Sequence, residues 1–170
     1  MNLVIDLDDP RAADVRALLL EHLAFAGEET PAGHVHALDL EGLLDPAVSF
    51  FSARGDGVLL GVGALKTLDA SHAEIKSMHT KKAARRQGIG RAMVEHLLSV
   101  AAERRFETVS LETGTMDAFA PARRLYARLG FRACEPFGEY TSNPFSCCMT
   151  IALATRVAGL GPIKPARRER

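Results

Sequence analysis

The sequence has no tryptophan, only two tyrosines, three cysteines and no excess of charge of either sign. Lysine and arginine together number 21, as do aspartate and glutamate, so the formal net charge is zero. This balance removes any general electrostatic basis for binding nucleic acid or a membrane surface. No apolar run approaches the roughly 20 residues that a membrane-spanning helix needs. We therefore expect a protein that binds neither nucleic acid nor membrane.

The cysteines are too few and too irregularly spaced to predict a disulfide framework. Cys134, Cys147 and Cys148 are an odd number, which favours reduced thiols. His34 and His36 would share one face of an extended segment, but no third ligand stands at metal-site spacing. The first ten residues carry acidic side chains where an export signal would carry basic ones. We expect a cytoplasmic protein without a bound metal.

Length and composition are those of one folded domain. The chain has 170 residues, 47% of them hydrophobic and 25% charged, which is enough to bury a substantial core. We expect this domain to span residues 1–155. The closing segment "GLGPIKPARRER" is basic and lacks apolar periodicity, so residues 156–170 are expected to form a flexible basic tail.

Apolar periodicity and turn residues predict an alternation of strands and helices. Strands are predicted at residues 2–7, 72–80, 107–114, 131–137 and 146–153, and a hairpin with the turn "GDG" at residues 48–68. Helices are predicted at residues 10–25, 38–44, 90–105 and 117–131. This order of elements predicts a mixed α/β fold with helices on both faces of one sheet.

The stretch "TKKAARRQGIGRAMVEHLL" begins a helix without the usual capping residues. No Ser, Thr, Asp or Asn occurs between Lys81 and Leu98, and basic side chains crowd the positive end of the helix dipole. Gly88 and Gly90 would let a ligand approach the backbone closely. These features predict that an external anion, such as a pyrophosphate, completes the helix start. The alternative is a basic loop whose amides bind water.

Two motifs in this part of the chain resemble those of the GNAT acetyltransferases. Arg85, Gly88 and Gly90 match the three specified positions of the acetyl-CoA signature R/Q-x-x-G-x-G/A. Downstream, "ARRLYARLGF" at residues 122–131 is similar to the family segment A-x-x-L-Y-x-x-x-G-F. The motifs occur in the family's order, with one predicted strand between them. Where many members carry asparagine seven residues before the tyrosine, this chain has Phe119.

The resemblance implies a mostly antiparallel, splayed central sheet with helices on both faces, and acetyl-CoA as the cosubstrate. The strand ending at Thr80 would pair its backbone with the pantetheine arm, and the amides from Arg86 onward would hold the pyrophosphate. The residues that it assigns to coenzyme A are Met78, His79, Thr80, Arg85, Arg86, Gln87, Gly88, Ile89, Gly90 and Arg91.

Acetyl transfer to an amine requires a base and an acid. A lysine-type amine, with a pKa of roughly 10.4, is neutral in only about one molecule in a thousand at pH 7.4. Glu74, on the strand before the cofactor loop, is the first candidate base, acting directly or through a water. Glu112 is the rival base or a contact for the substrate ammonium. The resemblance places Tyr126 near the thioester sulfur, where its hydroxyl would act as the acid.

No motif identifies the acetyl acceptor, because the loops around the site determine acceptor specificity. We expect a small-molecule amine or amino acid, with Glu112, Thr113 and Tyr140 as candidate contacts. Acetylation of a protein lysine or N-terminus is a second hypothesis, and a non-catalytic acyl-CoA sensor is a third. The resemblance also allows a homodimer paired through the last strands.

Overall fold

The computed structural model describes residues 1–37 and 39–153, so the predicted tail at 156–170 lies outside the described residues. The strands are β1 (Leu3–Leu7), β2 (Val48–Gly55), β3 (Val58–Thr67), β4 (His72–Thr80), β5 (Thr108–Gly114), β6 (Arg132–Cys134) and β7 (Ser146–Ala152). The helices are α1 (Ala13–Glu29), α2 (Leu40–Leu43), α3 (Ile89–Glu103) and α4 (Ala120–Arg128), with 3₁₀ turns at Lys82–Ala84 and Asp117–Phe119.

All seven strands form one sheet in the order β1-β2-β3-β4-β5-β7-β6. Every neighbouring pair is antiparallel except β4 and β5, which are parallel and joined through α3. A parallel pair needs such a crossover, whereas the other neighbours in the sheet can pair through turns or longer returns. The predicted fold class, a mixed α/β fold with a mostly antiparallel sheet, is confirmed.

Strands β4 and β5 part halfway along their length. Their pairing runs only from His72 with Thr108 to Ile75 with Leu111. Beyond Ile75, β4 still pairs with β3 on its other side, where the register shifts between Val62 and Ala64. The irregularity coincides with a positive φ of 54° at Ser77. A β-bulge therefore bends β4 at the point where the sheet opens.

Helices cover both faces of the sheet, and each face has its own apolar cluster. Under α3 and α4, the core includes Met93, Leu97, Leu111 and Tyr126. Under α1 and α2, a smaller core joins residues of both helices to β2 and β3. This second core does not extend over β4, β5 and β7. There the same face of the sheet carries polar side chains. None of the described helices is long and apolar enough to cross a membrane.

Several helix boundaries differ from the predicted ones. α1 runs to Glu29 rather than Phe25, because Gly27 is tolerated inside the helix and Pro31 restricts the residue before it. α3 begins at Ile89, ahead of the predicted range. The predicted helix at 117–131 is a 3₁₀ turn followed by α4, and Gly130, with φ of 99°, ends it as predicted.

Candidate active site

A cavity of about 1040 Å³ opens where β4 and β5 part. Its walls come from α1 and the loop after it, the second half of β4, the start of α3, the end of β5 and the first turns of α4. One end lies at the amino terminus of α3. The other lies over the polar half of the sheet, where Glu74, Lys76 and Glu112 form part of the wall.

The amino terminus of α3 has no side-chain cap and no acidic residue in its first turn. Gly88 occupies the N-cap position with φ of 83°, and nothing lies within 4 Å of the place where its Cβ would be. Arg86 also has a positive φ, of 63°. Successive left-handed and helical residues turn backbone amides toward one concave point, which is a geometry suited to an anion.

The basic and polar side chains around this point use only some of their donor groups in hydrogen bonds and ion pairs within the protein. Arg85 Nε donates to the Thr80 carbonyl at 3.4 Å, and Gln87 Nε2 donates to the Ala83 carbonyl at 3.0 Å. Arg91 forms an exposed ion pair with Glu95 at 3.0 Å. The side chain of Ile89, by contrast, is buried in the core. Its contribution at this point is its backbone amide.

The second half of β4 has no strand partner on its β5 side. Met78 packs against the core under α3, while the His79 ring faces His22 of α1 at a centroid distance of 5.2 Å. Thr80 Oγ1 lies near Gly90 at the start of α3. An extended chain of amides could pair with the open backbone between these strands. The parted strands and uncapped helix therefore fit the pantetheine arm and pyrophosphate of coenzyme A.

Phe119, which replaces the asparagine of many GNAT members, fills the end of β5. Its ring occupies the space where a Cβ at Gly114 would lie. It also meets Phe25 of α1 edge-on, at a centroid distance of 5.2 Å. An apolar wall therefore stands at this position in place of an amide side chain.

Glu112 and Tyr126 face the same cavity from β5 and α4. Burial raises the pKa of the Glu112 carboxyl to about 7, although the nearby Lys76 ammonium acts in the opposite direction. Burial also raises the pKa of the Tyr126 hydroxyl, and the charge of Glu112 raises it further. The site thus holds a carboxyl that can exchange a proton near neutral pH beside a phenol that stays protonated.

Glu74 is buried, and one of its carboxylate oxygens accepts hydrogen bonds from two donors. Lys76 Nζ lies 3.1 Å from Glu74 Oε1, and the Tyr140 hydroxyl donates to the same oxygen. Lys76 Nζ also donates to the Tyr140 hydroxyl at 2.6 Å. Tyr140 belongs to the loop between β6 and β7, so this triad fastens that loop to β4.

Four other rings pack in two pairs above the polar end of the cavity. His34 lies against Phe145 at a centroid distance of 4.8 Å, and His36 meets Tyr140 edge-on at 5.1 Å. Each pair joins the loop after α1 to the loop between β6 and β7. Of the predicted acceptor contacts, Glu112 and Thr113 line the cavity, whereas Tyr140 lies behind Glu74 and Lys76.

Sequence reasoning missed Lys76 and the contact between His22 and His79. Alternation along "HAEIKSMHT" could have indicated Lys76, because residues two apart in a strand share a face and Lys76 therefore stands beside Glu74. Nothing local to His22 signals its contact with His79. Burial lowers the pKa of both imidazoles to about 4, so both are neutral at pH 7.

No group of three or more His, Cys, Asp or Glu side chains suited to a metal occurs within residues 1–37 and 39–153. The three cysteines are free thiols, and burial raises the pKa of each. The described side chains of the cavity wall include carboxyl, phenol, imidazole and basic groups.

An open sheet with a cleft between two parallel strands and an uncapped helix start beside it is typical of the acyl-CoA N-acyltransferase fold. Over residues 15–131 the sequence matches the acetyltransferase (GNAT) family. The chain belongs to this family. It is an N-acetyltransferase, and acetyl-CoA, the acetyl donor of the family, is its cosubstrate.

Two relatives resemble nearly the whole chain. The uncharacterized N-acetyltransferase YsnE of Bacillus subtilis (strain 168) is 43% identical over 146 residues, which cover 86% of this chain and 97% of that protein. The IAA acetyltransferase of Azospirillum brasilense is 33% identical over 149 residues, covering 87% and 96%.

Solved structures share the fold at lower identity. A GNAT acetyltransferase from Elizabethkingia anophelis with acetyl-CoA bound superposes with a TM-score of 0.67 at 18% identity, covering 89% of this chain and 98% of that one. An aminoglycoside 6'-N-acetyltransferase complexed with coenzyme A gives a TM-score of 0.65 at 15% identity, covering 88% and 97%.

Proposed function

We propose that this enzyme transfers the acetyl group of acetyl-CoA to a primary amine of a small molecule, with Glu112 as the general base and Tyr126 as the general acid. The observation that carries the proposal is the Glu112 carboxyl, half-buried in the cavity with a pKa raised to about 7. A base of this pKa is divided between its two protonation states at neutral pH, which suits proton transfer.

Glu112 is preferred to Glu74, although Glu74 was the first candidate by sequence. Glu74 is 4% exposed, and its Oε1 already receives hydrogen bonds from both Lys76 and Tyr140. A carboxylate so occupied cannot readily leave its partners to take a substrate proton. The backbone of Glu112 pairs with Cys148 of β7. Its carboxyl has a hydrogen bond from Ser146 but no ion pair within the described residues, and it faces the cavity.

Tyr126 has the properties of a proton donor. The side chain is 6% exposed, and its ring meets Phe131 edge-on at a centroid distance of 5.8 Å, which fixes its direction. Burial and the Glu112 charge both oppose loss of the phenolic proton. The hydroxyl therefore reaches the reaction protonated and can give its proton to a departing sulfur.

The donor is proposed to lie along the second half of β4 and the start of α3. Met78, His79 and Thr80 would present backbone groups to the pantetheine arm, and the backbone of Arg86 to Gly90 would hold the pyrophosphate. Arg85 and Arg91 would add positive charge beside it.

The two proposed groups balance the proton changes of the reaction. Acetyl-CoA supplies an acetyl thioester, so that a C–N bond forms to the amine as the C–S bond breaks. Glu112, directly or through a water, takes a proton from the incoming ammonium. Tyr126 protonates the thiolate that leaves. The amine nitrogen loses a second proton as it becomes an amide, and this proton restores the phenol. The carboxyl releases its own proton to water, so one proton is released per turnover.

Several features support a small acceptor over a protein chain. Two loops, bound to each other by ring pairs, close over the polar end of the cavity. Within residues 1–37 and 39–153, the acidic side chains of the cavity wall are Glu74 and Glu112 alone. A basic peptide would find no acidic groove there. A relative named for IAA also suits a small acceptor.

The test is an amine screen with acetyl-CoA in which free thiol is measured. We expect release with at least one small amine, and its loss in Glu112→Gln. Binding of acetyl-CoA without release for any amine would support a sensor instead. Faster release with lysine peptides or protein N-termini than with any small amine would establish the protein-acetylation hypothesis.

A further inference from the structure

Aromatic and imidazole rings are concentrated around the cavity. The chain has eight phenylalanines, two tyrosines and six histidines. Three of the phenylalanines, one tyrosine and four of the histidines line this one cavity. The cavity therefore offers flat apolar walls with weakly polar edges.

The rings of the two loops lie at the acceptor end. The positive charge of Lys76 and the negative charge of Glu74 both act on His36, which places that ring beside the polar floor. The charges of Glu74 and Glu112 likewise act on Tyr140. The ring pairs His34–Phe145 and His36–Tyr140 thus stand over the carboxyl groups, away from the donor site at α3.

The charges at this end suit a single cation. Glu74 is neutralised by Lys76 at 3.1 Å, which leaves Glu112 as the one carboxyl not bound in an ion pair among the described residues of the wall. Burial and the Lys76 charge lower the pKa of His36, so its ring is neutral at pH 7. A second positive charge on the acceptor would be repelled by Lys76 and by the arginines of the donor end.

From this arrangement, and resting on the proposed function above, we propose that the acceptor is an arylalkylamine: one primary amine on a short tether to an aromatic ring. Its ammonium meets Glu112, and its ring packs against Phe145 and the neighbouring imidazoles. Aminoglycosides and diamines, which carry several positive charges, do not fit the single carboxyl.

The first experiment compares matched amines at saturating acetyl-CoA, with free thiol as the readout. The pair 2-phenylethylamine and 2-cyclohexylethylamine differs only in aromaticity, and the pair n-hexylamine and 1,6-diaminohexane differs in the second charge. We expect kcat/KM to be at least about threefold higher for the aromatic amine. We expect it to be about tenfold higher for the monoamine than for the diamine.

A second experiment tests the wall itself. Phe145→Leu keeps an apolar side chain but removes the ring, so the ratio of kcat/KM between the aromatic and saturated amines should fall toward one. Phe137→Leu is the matched control, because Phe137 lies in the same loop but packs on His72 and Tyr140 outside the cavity. That variant should keep the wild-type ratio, whatever its absolute rate.

Equal or higher kcat/KM for the saturated ring, or a preference for the diamine, would overturn the arylalkylamine assignment while leaving the proposed function intact. If no amine is acetylated, the proposed function fails, and calorimetry with the coenzyme A complex decides the ring site separately. Tighter binding of 2-phenylethylamine than of 2-cyclohexylethylamine would support it. Equal binding would overturn it.

Discussion

Lys76 and Glu112 stand on neighbouring strands at the first position where those strands no longer pair. Glu74 is in register with Ser110, and the pairing ends one residue later at Ile75 and Leu111. Lys76 turns to Glu74 and neutralises it, while Glu112 keeps its carboxyl toward the cavity. Two carboxyl groups on one face of the sheet thus acquire different environments, one paired and one available for proton transfer.

Replacing Glu112 should remove the base. We expect Glu112→Gln to lower kcat at pH 7 by about 100- to 1000-fold. In the wild type, activity should rise with pH through an inflection near the carboxyl pKa of about 7, because only the ionised form takes a proton. The variant should lose this inflection. Glu74→Gln is the matched control, and an inflection lost in that variant but kept in Glu112→Gln would reverse the assignment.

Removing the phenol should affect transfer and spare donor binding. We expect Tyr126→Phe to lower kcat by about 100-fold. Its affinity for acetyl-CoA, measured by calorimetry, should stay near the wild-type value. Tyr140→Phe deletes the other tyrosine hydroxyl, which lies behind Glu74, and should lower kcat less. If Tyr126→Phe kept full activity, Tyr126 could not be the residue that protonates the thiolate.

The α3 amino terminus can be tested with two glycines of nearly identical conformation. Gly88 and Gly57 have φ of 83° and 85°, and neither has any atom within 4 Å of an added Cβ. Each alanine variant should lose roughly 1 kcal/mol of stability from backbone strain. Gly88→Ala alone should weaken acetyl-CoA binding, by about tenfold. Equal donor affinities in the two variants would show that the pyrophosphate lies elsewhere.

The triad of Lys76, Glu74 and Tyr140 should behave as a unit in unfolding experiments. Lys76→Met leaves the buried Glu74 charge without its cation, and we expect a loss of about 3–5 kcal/mol in the free energy of unfolding. Adding Glu74→Gln should recover most of that loss. Urea denaturation of both single variants and the double variant measures the coupling. Additive effects would mean that the ion pair contributes little.

Acid should destabilise the fold through the imidazole pair on α1 and β4. His22 and His79 have pKa values of about 4 in the folded state, below the ordinary value of 6.5. Between these values the unfolded chain binds more protons, so stability is complete above pH 6.5 and falls as pH falls toward 4. Each histidine should lower the free energy of unfolding by on the order of 2 kcal/mol between pH 8 and pH 5.

His22→Phe removes one of these two titrations while keeping a ring against His79. The loss of unfolding free energy between pH 8 and pH 5 should therefore be clearly smaller in this variant than in the wild type. Urea denaturation at the two pH values provides the measurement. An unchanged pH dependence would indicate that His22 is protonated in the folded protein without penalty.

The donor half of the proposed site could be predicted from sequence because it is local. Arg85 to Arg91 are contiguous, and a helix start without a cap, with two glycines and several cations, has few physical explanations. Strand β4 was predicted at its observed bounds, since its alternating side chains and flanking turns are also local signals. The bulge at Ser77 was not predicted, because it depends on pairing with β3.

The acceptor half was not accessible in the same way. Tyr140 reaches Glu74 across 66 positions of sequence, and His34 meets Phe145 across an even longer separation. Neither contact has a periodic or motif signal, since each depends on how two loops fold over the completed sheet. The preference for Glu112 over Glu74 likewise follows from partners that only the assembled structure brings together.

The parting of β4 and β5 has a consequence for how such an enzyme can diverge over evolutionary time. In the proposed function the thioester carrier would meet mainly main-chain groups and one helix end, which tolerate many side-chain replacements. In the same proposal, acceptor choice would fall to the two loops that pack on each other through the ring pairs His34–Phe145 and His36–Tyr140. Related enzymes could therefore evolve different loops and accept a new amine while keeping the same acetyl-CoA site.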